Sequence, residues 1–152
     1  MNFFTVSLFG HRKIENVRLL DERLSHIIKT LIQTKPYVTF LIGRNGEFDE
    51  YAASVIKQAQ RELGTENNDL MLVLPYTVAD LPYYEQYYDY ITIPESIGCA
   101  HPKVAITLKN KWMIDQSDLV IFFVNHDSGG AYMAMKYAKK SNKNMINLIN
   151  IV

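Results

Sequence analysis

Three polar turns hold most of the side chains in this chain that could do chemistry. Gly10-His11-Arg12 follows the apolar run Phe3 to Phe9. Gly43 to Glu50, reading GRNGEFDE, follows Tyr37 to Ile42. Asn125 to Gly130, reading NHDSGG, follows Leu119 to Val124 and leads straight into a small-residue segment. A helix N-terminus offers N–H groups without intrahelical partners and the positive end of its dipole. Glycine lets an anion come close to the backbone. Gly129 and Gly130 are therefore expected to cradle a phosphate, with Ser128 adding a hydroxyl. A paired glycine before a helix is also a common tight turn, so the motif gains weight only in company. Gly43 and Gly46 form a second lip, on which the Asn45 amide would recognise ribose or base. Arg12 and Arg44 can each pair with phosphate through a bidentate fork. Asn125, His11 and His126 belong to the same two crevice turns as ligand contacts.

The acids of the second turn have two readings. Asp49 and Glu50 can simply complement the dipole of the helix they begin. Glu47 or Asp49 can instead bind ribose hydroxyls or serve as a general acid or base, and these two are the catalytic candidates if the chain is an enzyme. His26 falls on an amphipathic helix face, and His101 lies in an irregular segment without a readable role. The histidines show no metal-ligand spacing, so no metal is expected, and no cofactor is expected beyond the ligand itself. Cys99 is the single cysteine. It excludes an internal disulfide and a cysteine cluster, and it fits a reducing, cytoplasmic setting. Five tyrosines fall in the eight residues from Tyr83 to Tyr90. They can cover a bound base, meet a partner subunit, or only pack a long surface segment.

These turns need elements to position them. Val17, Leu20, Leu24, Ile27, Ile28 and Leu31 recur at helical spacing, which predicts a helix over about Asn16 to Thr34, ended by Pro36. Phe48, Ala52, Val55, Ile56, Ala59 and Leu63 predict a second helix ending near Gly64. Leu70 to Leu74 reads as a third strand, stopped by Pro75, and residues 76–102 as irregular. Ala105, Leu108 and Trp112 predict a helix before the fourth strand, with Trp112 in the core. Ala131, Ala134, Met135 and Ala138 mark the last helix, and Met145 to Ile149 the last strand. Apolar strands alternating with helices predict an α/β fold, Rossmann-like and doubly wound, with a mainly parallel sheet covered on both faces. Five strands in the order 3-2-1-4-5 are expected, with the first and third turns facing each other across the switch point.

The bulk properties fit one domain over residues 1–152. At 152 residues, 48% hydrophobic and 21% charged, the chain is long enough for a full core and is globular in composition. Its formal net charge is zero, so no nucleic-acid partner is expected. No apolar stretch approaches the roughly 20 residues that span a bilayer, so no membrane partner is expected. The N-terminus is apolar first and basic after, the reverse of a secretory signal.

FFTVSLFGHRKI, FLIGRNGEFDEYAASVIK, KVAITLKNKWMIDQSDLVIFFV and SGGAYMAMKYAKKSNKNMINL occur in this order. At these segments, which cover most of the chain, the sequence resembles the SLOG superfamily. That Rossmann-like group includes YpsA-type proteins and, further off, the LOG phosphoribohydrolases. The likeness is greatest to small, single-domain bacterial or phage members. It implies a site for nucleotides or nucleotide-derived ligands. Some members hydrolyse the N-glycosidic bond of nucleoside monophosphates. Others sense NAD-derived signals, such as cyclic ADP-ribose variants, in antiphage signalling. The hydrolases carry Pro-Gly-Gly-x-Gly-Thr-x-x-Glu at the last turn. Laid on Gly129 and Gly130, this chain has Ser128 for the proline, Tyr132 for the glycine, Met133 for the threonine and Lys136 for the glutamate. A lysine cannot stabilise a developing oxocarbenium cation as a carboxylate does.

The expected function is therefore binding of a nucleotide-derived ligand, related to ADP-ribose, NAD or a cyclic nucleotide, by a sensor or sequestering protein. The alternative is a phosphoribohydrolase-like N-glycosidase that draws its carboxylate from Glu47 or Asp49. The expected partners are that small molecule and, as the resemblance implies, further copies of the chain in a homodimer or higher homo-oligomer.

Overall fold

The computed structural model describes residues 3–150. Six strands, β1 (Phe3–Gly10), β2 (Tyr37–Ile42), β3 (Asn68–Val73), β4 (Tyr90–Thr92), β5 (Leu119–Phe123) and β6 (Met145–Asn147), form one sheet in the order β4-β3-β2-β1-β5-β6. Every neighbouring pair is parallel. Helices α1 (Val17–Thr34) and α2 (Glu47–Leu63) follow β1 and β2; α3 (Leu81–Glu85) precedes β4; α4 (Pro102–Gln116) and α5 (Gly130–Lys140) flank β5. The chain winds outward from β1 through β2 and β3 to β4, then crosses back to β5 beside β1.

The expected five-strand sheet is thus corrected to six. The extra strand is β4, drawn from the segment read as irregular. Three residues are too few for periodicity to register. Its signal is the β-branched stretch Tyr90-Ile91-Thr92-Ile93, bounded by Asp89 and Pro94. Asp89 pins it in place: its carboxylate accepts from Leu70 N at 2.7 Å and Gln60 Nε2 at 2.9 Å. Strand boundaries also move, most at two ends. β3 starts at Asn68, and the last strand stops at Asn147, where a 3-10 turn over Leu148–Asn150 takes over.

The strands alternate between two cores. Val6 and Leu8 join Leu20, Leu24 and Ile28 of α1 and Phe48, Ala52 and Ile56 of α2. Phe9 and Phe122 join Met113 and Ile114 of α4 and Ala134 and Ala138 of α5. A fully buried Leu, Ile or Phe contributes about 1.5–3 kcal/mol, so both layers hold the sheet firmly. Trp112 is only half-buried at the margin of the second core. His101 caps α4: its Nδ1 accepts from Lys103 N at 3.3 Å, and Pro102 takes the first helical position, where no N–H partner is missed.

The register decides where the site lies. Gly10 stands opposite Phe123 and Ser7 opposite Leu41. β1 and β5 therefore end level, β2 ends two residues short of β1, and the three polar turns leave the same edge.

Candidate ligand-binding crevice

The three turns are tied to one another. Arg12 O accepts from Glu47 N at 2.8 Å, and Glu47 Oε2 accepts from Ile14 N at 3.0 Å, which fastens the first turn to the second. Gly46 permits this approach, since a Cβ there would lie 2.4 Å from Arg12 Cα. His11 fastens the first turn to the third. Its Nε2 accepts from Asn125 N at 3.2 Å, and its ring stacks on His126 with centroids 3.5 Å apart. His126 in turn hydrogen-bonds Ser128 Oγ at 3.2 Å.

Between the turns lies a crevice of about 470 Å³. Gly10, His11 and Arg12 line it from the first turn, Gly43, Asn45 and Asp49 from the second, and His126, Gly129 and Gly130 from the third. Gly129 has φ +92°, a conformation that side chains resist, and it is the N-cap residue of α5. A Cβ on Gly130 would meet nothing within 4 Å, so the N-terminus of α5 is open.

Five of the residues expected at the site do not line the crevice. Gly46, Glu47, Asn125 and Ser128 serve the fastenings just described, and Glu47 is exposed. The Arg44 guanidinium lies 5.5 Å over the Tyr84 ring, and its Nε is buried without a partner. Lys136, where the hydrolases have their glutamate, is exposed with its ammonium 5.7 Å from the Tyr132 ring.

The side chain missed from the sequence is Lys109. It is 2% exposed, lines the crevice and makes no hydrogen bond or ion pair among the described residues. Ile106, Lys109 and Asn110 project from one face of α4, three and four residues apart. Its signal was present: Lys109 sits four residues from both Ala105 and Met113, on the apolar stripe itself. Asp49 faces it across Gly43. A Cβ on Gly43 would lie 2.7 Å from Lys109 Nζ and 3.2 Å from Asp49 Oδ2. Burial raises the Asp49 carboxyl above its ordinary range, with Lys109 and a 2.8 Å bond from Asn45 N acting against the rise. Burial lowers the Lys109 amine, with Asp49 opposing and Arg44 adding to the fall. Both groups resist charge, and both are held at one point in the crevice floor.

Burial, then the nearby His126, lowers the His11 pKa from 6.5. The folded protein therefore favours the neutral ring that accepts from Asn125. Stability from this group is complete above about pH 6.5 and falls as pH drops, because the unfolded chain takes up the proton first. Asp49 and Asp69, both raised, titrate in the opposite sense, so the effect is read by difference. His11→Gln should lower the melting temperature more at about pH 7.5 than at about pH 5.5. An equal deficit at both values would contradict a neutral His11.

No family model matches the chain, and neither does any curated protein. Solved structures do. DNA processing protein A from Helicobacter pylori, described for its single-stranded DNA binding mode, superposes with a TM-score of 0.65 at 15% identity, over 93% of this chain and 63% of its own. The molybdenum cofactor carrier protein from Chlamydomonas reinhardtii gives 0.58 at 15% identity, over 95% of this chain and 75% of its own. The fold is Rossmann-like α/β. At this identity the likeness shows the fold alone, and the chain spans under two thirds of the DNA-processing protein.

The first neighbour corrects one expectation. Zero net charge predicts no nucleic-acid partner, yet a protein of this fold is described for its single-stranded DNA binding. Net charge sums the whole surface, whereas recognition depends on local charge. Here Arg12, Lys13 and Lys109 gather at one crevice despite the neutral total. Among the described residues no helix is long and apolar enough to cross a membrane, and no three His, Cys, Asp or Glu side chains gather as metal ligands.

Proposed function

We propose that this chain is a SLOG-type protein whose crevice binds a nucleotide or nucleotide-derived ligand, of the ADP-ribose, NAD or cyclic-nucleotide kind, as a sensor or sequestering protein. One observation carries the reading: Lys109, 2% exposed and without an ion pair among the described residues, lines the same crevice as the open N-terminus of α5. Burial lowers the Lys109 amine, and an anion bound beside it favours the charged form. Helix N–H groups and glycine supply a phosphate site opposite it. The volume of about 470 Å³ lies in the usual range for small-molecule sites. His11, Arg12, Asn45, His126, Gly129 and Gly130 are the remaining proposed contacts.

Titration calorimetry with AMP, NAD, ADP-ribose and cyclic ADP-ribose tests the reading. Gly130→Glu is the informative variant. The new side chain enters open space, and a carboxylate in the first turn favours the helix dipole. Binding should weaken at least about tenfold, or about 1.4 kcal/mol, with no loss of thermal stability. The reading fails if none of the four binds, or if Gly130→Glu binds as well as wild type.

A second reading is favoured by Asp49 alone. A buried carboxyl with a raised pKa suits a general acid for cleavage of a ribosyl bond. Chromatography should then show free base, and Asp49→Asn should stop its release. Activity that survives the substitution removes Asp49 from that role. The reading also includes a homodimer in the cytoplasm, for which the exposed Tyr83, Tyr87 and Tyr90 offer aromatic contact area. A single monomeric species in light scattering would count against it.

A further inference from the structure

We propose that Lys109 is a reactive amine that captures the aldehyde of a phosphorylated ligand as an imine, with Asp49 as the proton donor that completes the step. The ligand class is a phosphorylated aldehyde, such as an open-chain pentose phosphate. The phosphate half of the proposal rests on the reading given above; the amine half stands on the crevice floor.

Geometry carries it. Lys109 is 2% exposed, and its side chain lines the crevice and is held by no hydrogen bond or ion pair among the described residues. A lysine that only supported the fold would have its charge matched by a carboxylate or carbonyl at bonding distance. Here the nearest acid is Asp49, and both groups lie within 3.2 Å of one point above Gly43. Nζ and Oδ2 therefore lie within about 6 Å of each other at the crevice floor, with no side chain on residue 43 to fill the space above them. A small electrophilic carbon in the crevice above Gly43 can meet the amine on one side and the carboxyl on the other. Lys13, the other lysine lining the crevice, is exposed. Burial weakens the proton's hold on Lys109 and strengthens it on Asp49, so the amine is poised as a nucleophile and the carboxyl as an acid.

The step balances without an oxidant or reductant. The Nζ lone pair forms a C–N bond to the carbonyl carbon, and the carbonyl π pair moves to oxygen, which takes the Asp49 proton. The Asp49 carboxylate recovers a proton from the new ammonium nitrogen, which leaves a neutral carbinolamine. The Asp49 carboxyl then protonates the hydroxyl, which leaves as water, and the carboxylate takes the remaining N–H proton of the iminium to give the imine. Amine plus aldehyde gives imine plus water, and hydrolysis reverses it. The α5 N-terminus would hold the phosphate and raise the local concentration of the aldehyde beside Nζ.

Ribose 5-phosphate with cyanoborohydride, followed by intact-mass measurement and peptide mapping, tests this directly. One adduct per chain is expected, on the peptide that contains Lys109, forming at least about tenfold faster than on Lys13. Lys109→Met and Lys109→Arg should both remove it, and circular dichroism verifies that each is folded. Asp49→Asn should slow it while leaving the modified residue unchanged. Adducts spread evenly over surface lysines, or a dominant adduct that survives both Lys109 variants, would overturn the proposal. The two halves separate cleanly. Equal rates for ribose and ribose 5-phosphate would remove the phosphate cradle and leave the amine. Nucleotide binding by calorimetry without any Lys109 adduct would remove the amine and leave the cradle.

Discussion

Gly10→Val will lower the melting temperature by about 6–12 °C, the shift expected for a loss of about 3 kcal/mol in a chain of this length. A Cβ at Gly10 would lie 2.2 Å from Phe48 Cγ and 2.5 Å from Cδ1. Phe48 cannot yield, because it is fully buried and its ring stacks on Phe123 with centroids 6.2 Å apart. Overpacking of a filled core costs about 1–3 kcal/mol or more, and valine adds two methyl groups beyond the Cβ. Differential scanning calorimetry measures the shift. The mechanism makes a second demand: Phe48→Leu should destabilise the wild type but partly rescue Gly10→Val, because residues in contact are not additive. A shift below about 2 °C, or strictly additive losses, would mean that the close approach of β1 to α2 is not as described.

Lys109→Met will change stability and binding in opposite directions. It removes a buried amine with no bonding partner and leaves an apolar chain of similar length beside Ile106. Burying an amine that lacks a hydrogen bond costs free energy that a methionine does not incur, and a protonated Asp49 leaves no buried charge behind, so the unliganded variant should melt at or above the wild-type temperature. The gain should be greater at about pH 5.5 than at about pH 8. Asp49 already has a raised pKa, and without Lys109 it rises further. A carboxyl raised in the folded state contributes stability at low pH and loses it as pH rises through the folded value. Nucleotide affinity should meanwhile fall about 10–100-fold, the worth of about 1.5–3 kcal/mol for hydrogen bonds to a charged group. Higher stability with lost binding marks a residue retained for a ligand rather than for folding. A marked drop in melting temperature would show Lys109 to be structural and sink that assignment.

The two substitutions differ in how far they could be foreseen. Gly10 stands in a turn that the sequence singles out, but as a ligand contact. That the Phe48 ring fills the place of its side chain depends on α2 lying against the end of β1, and no local pattern records that. Lys109 was hidden by its own chemistry. A lysine in a helix is ordinarily solvated, so one on the apolar stripe reads as a break in the pattern rather than as a buried cation. The acids show the same limit. Glu47 and Asp49 are two residues apart and look interchangeable on paper. On a helix they point about 200° apart, so one ties a neighbouring turn and the other enters the crevice floor. Arg44, chosen for its fork of donors, turns instead to Tyr84, a residue of the segment that the sequence left without structure.

Apolar runs, helical stripes and glycine-bearing turns follow from local spacing. By themselves they determined that strands alternate with helices, that the sheet is parallel, and that three polar turns leave one edge. The tertiary structure alone decided the sixth strand, the fastening of the turns through Glu47 and His11, and the meeting of Lys109 with Asp49 over Gly43. The physical reason is one of range. A helix or strand is selected by neighbours within a few residues. The charge and packing of a crevice are set by side chains brought together from 60 residues apart in the chain, as residues 49 and 109 are.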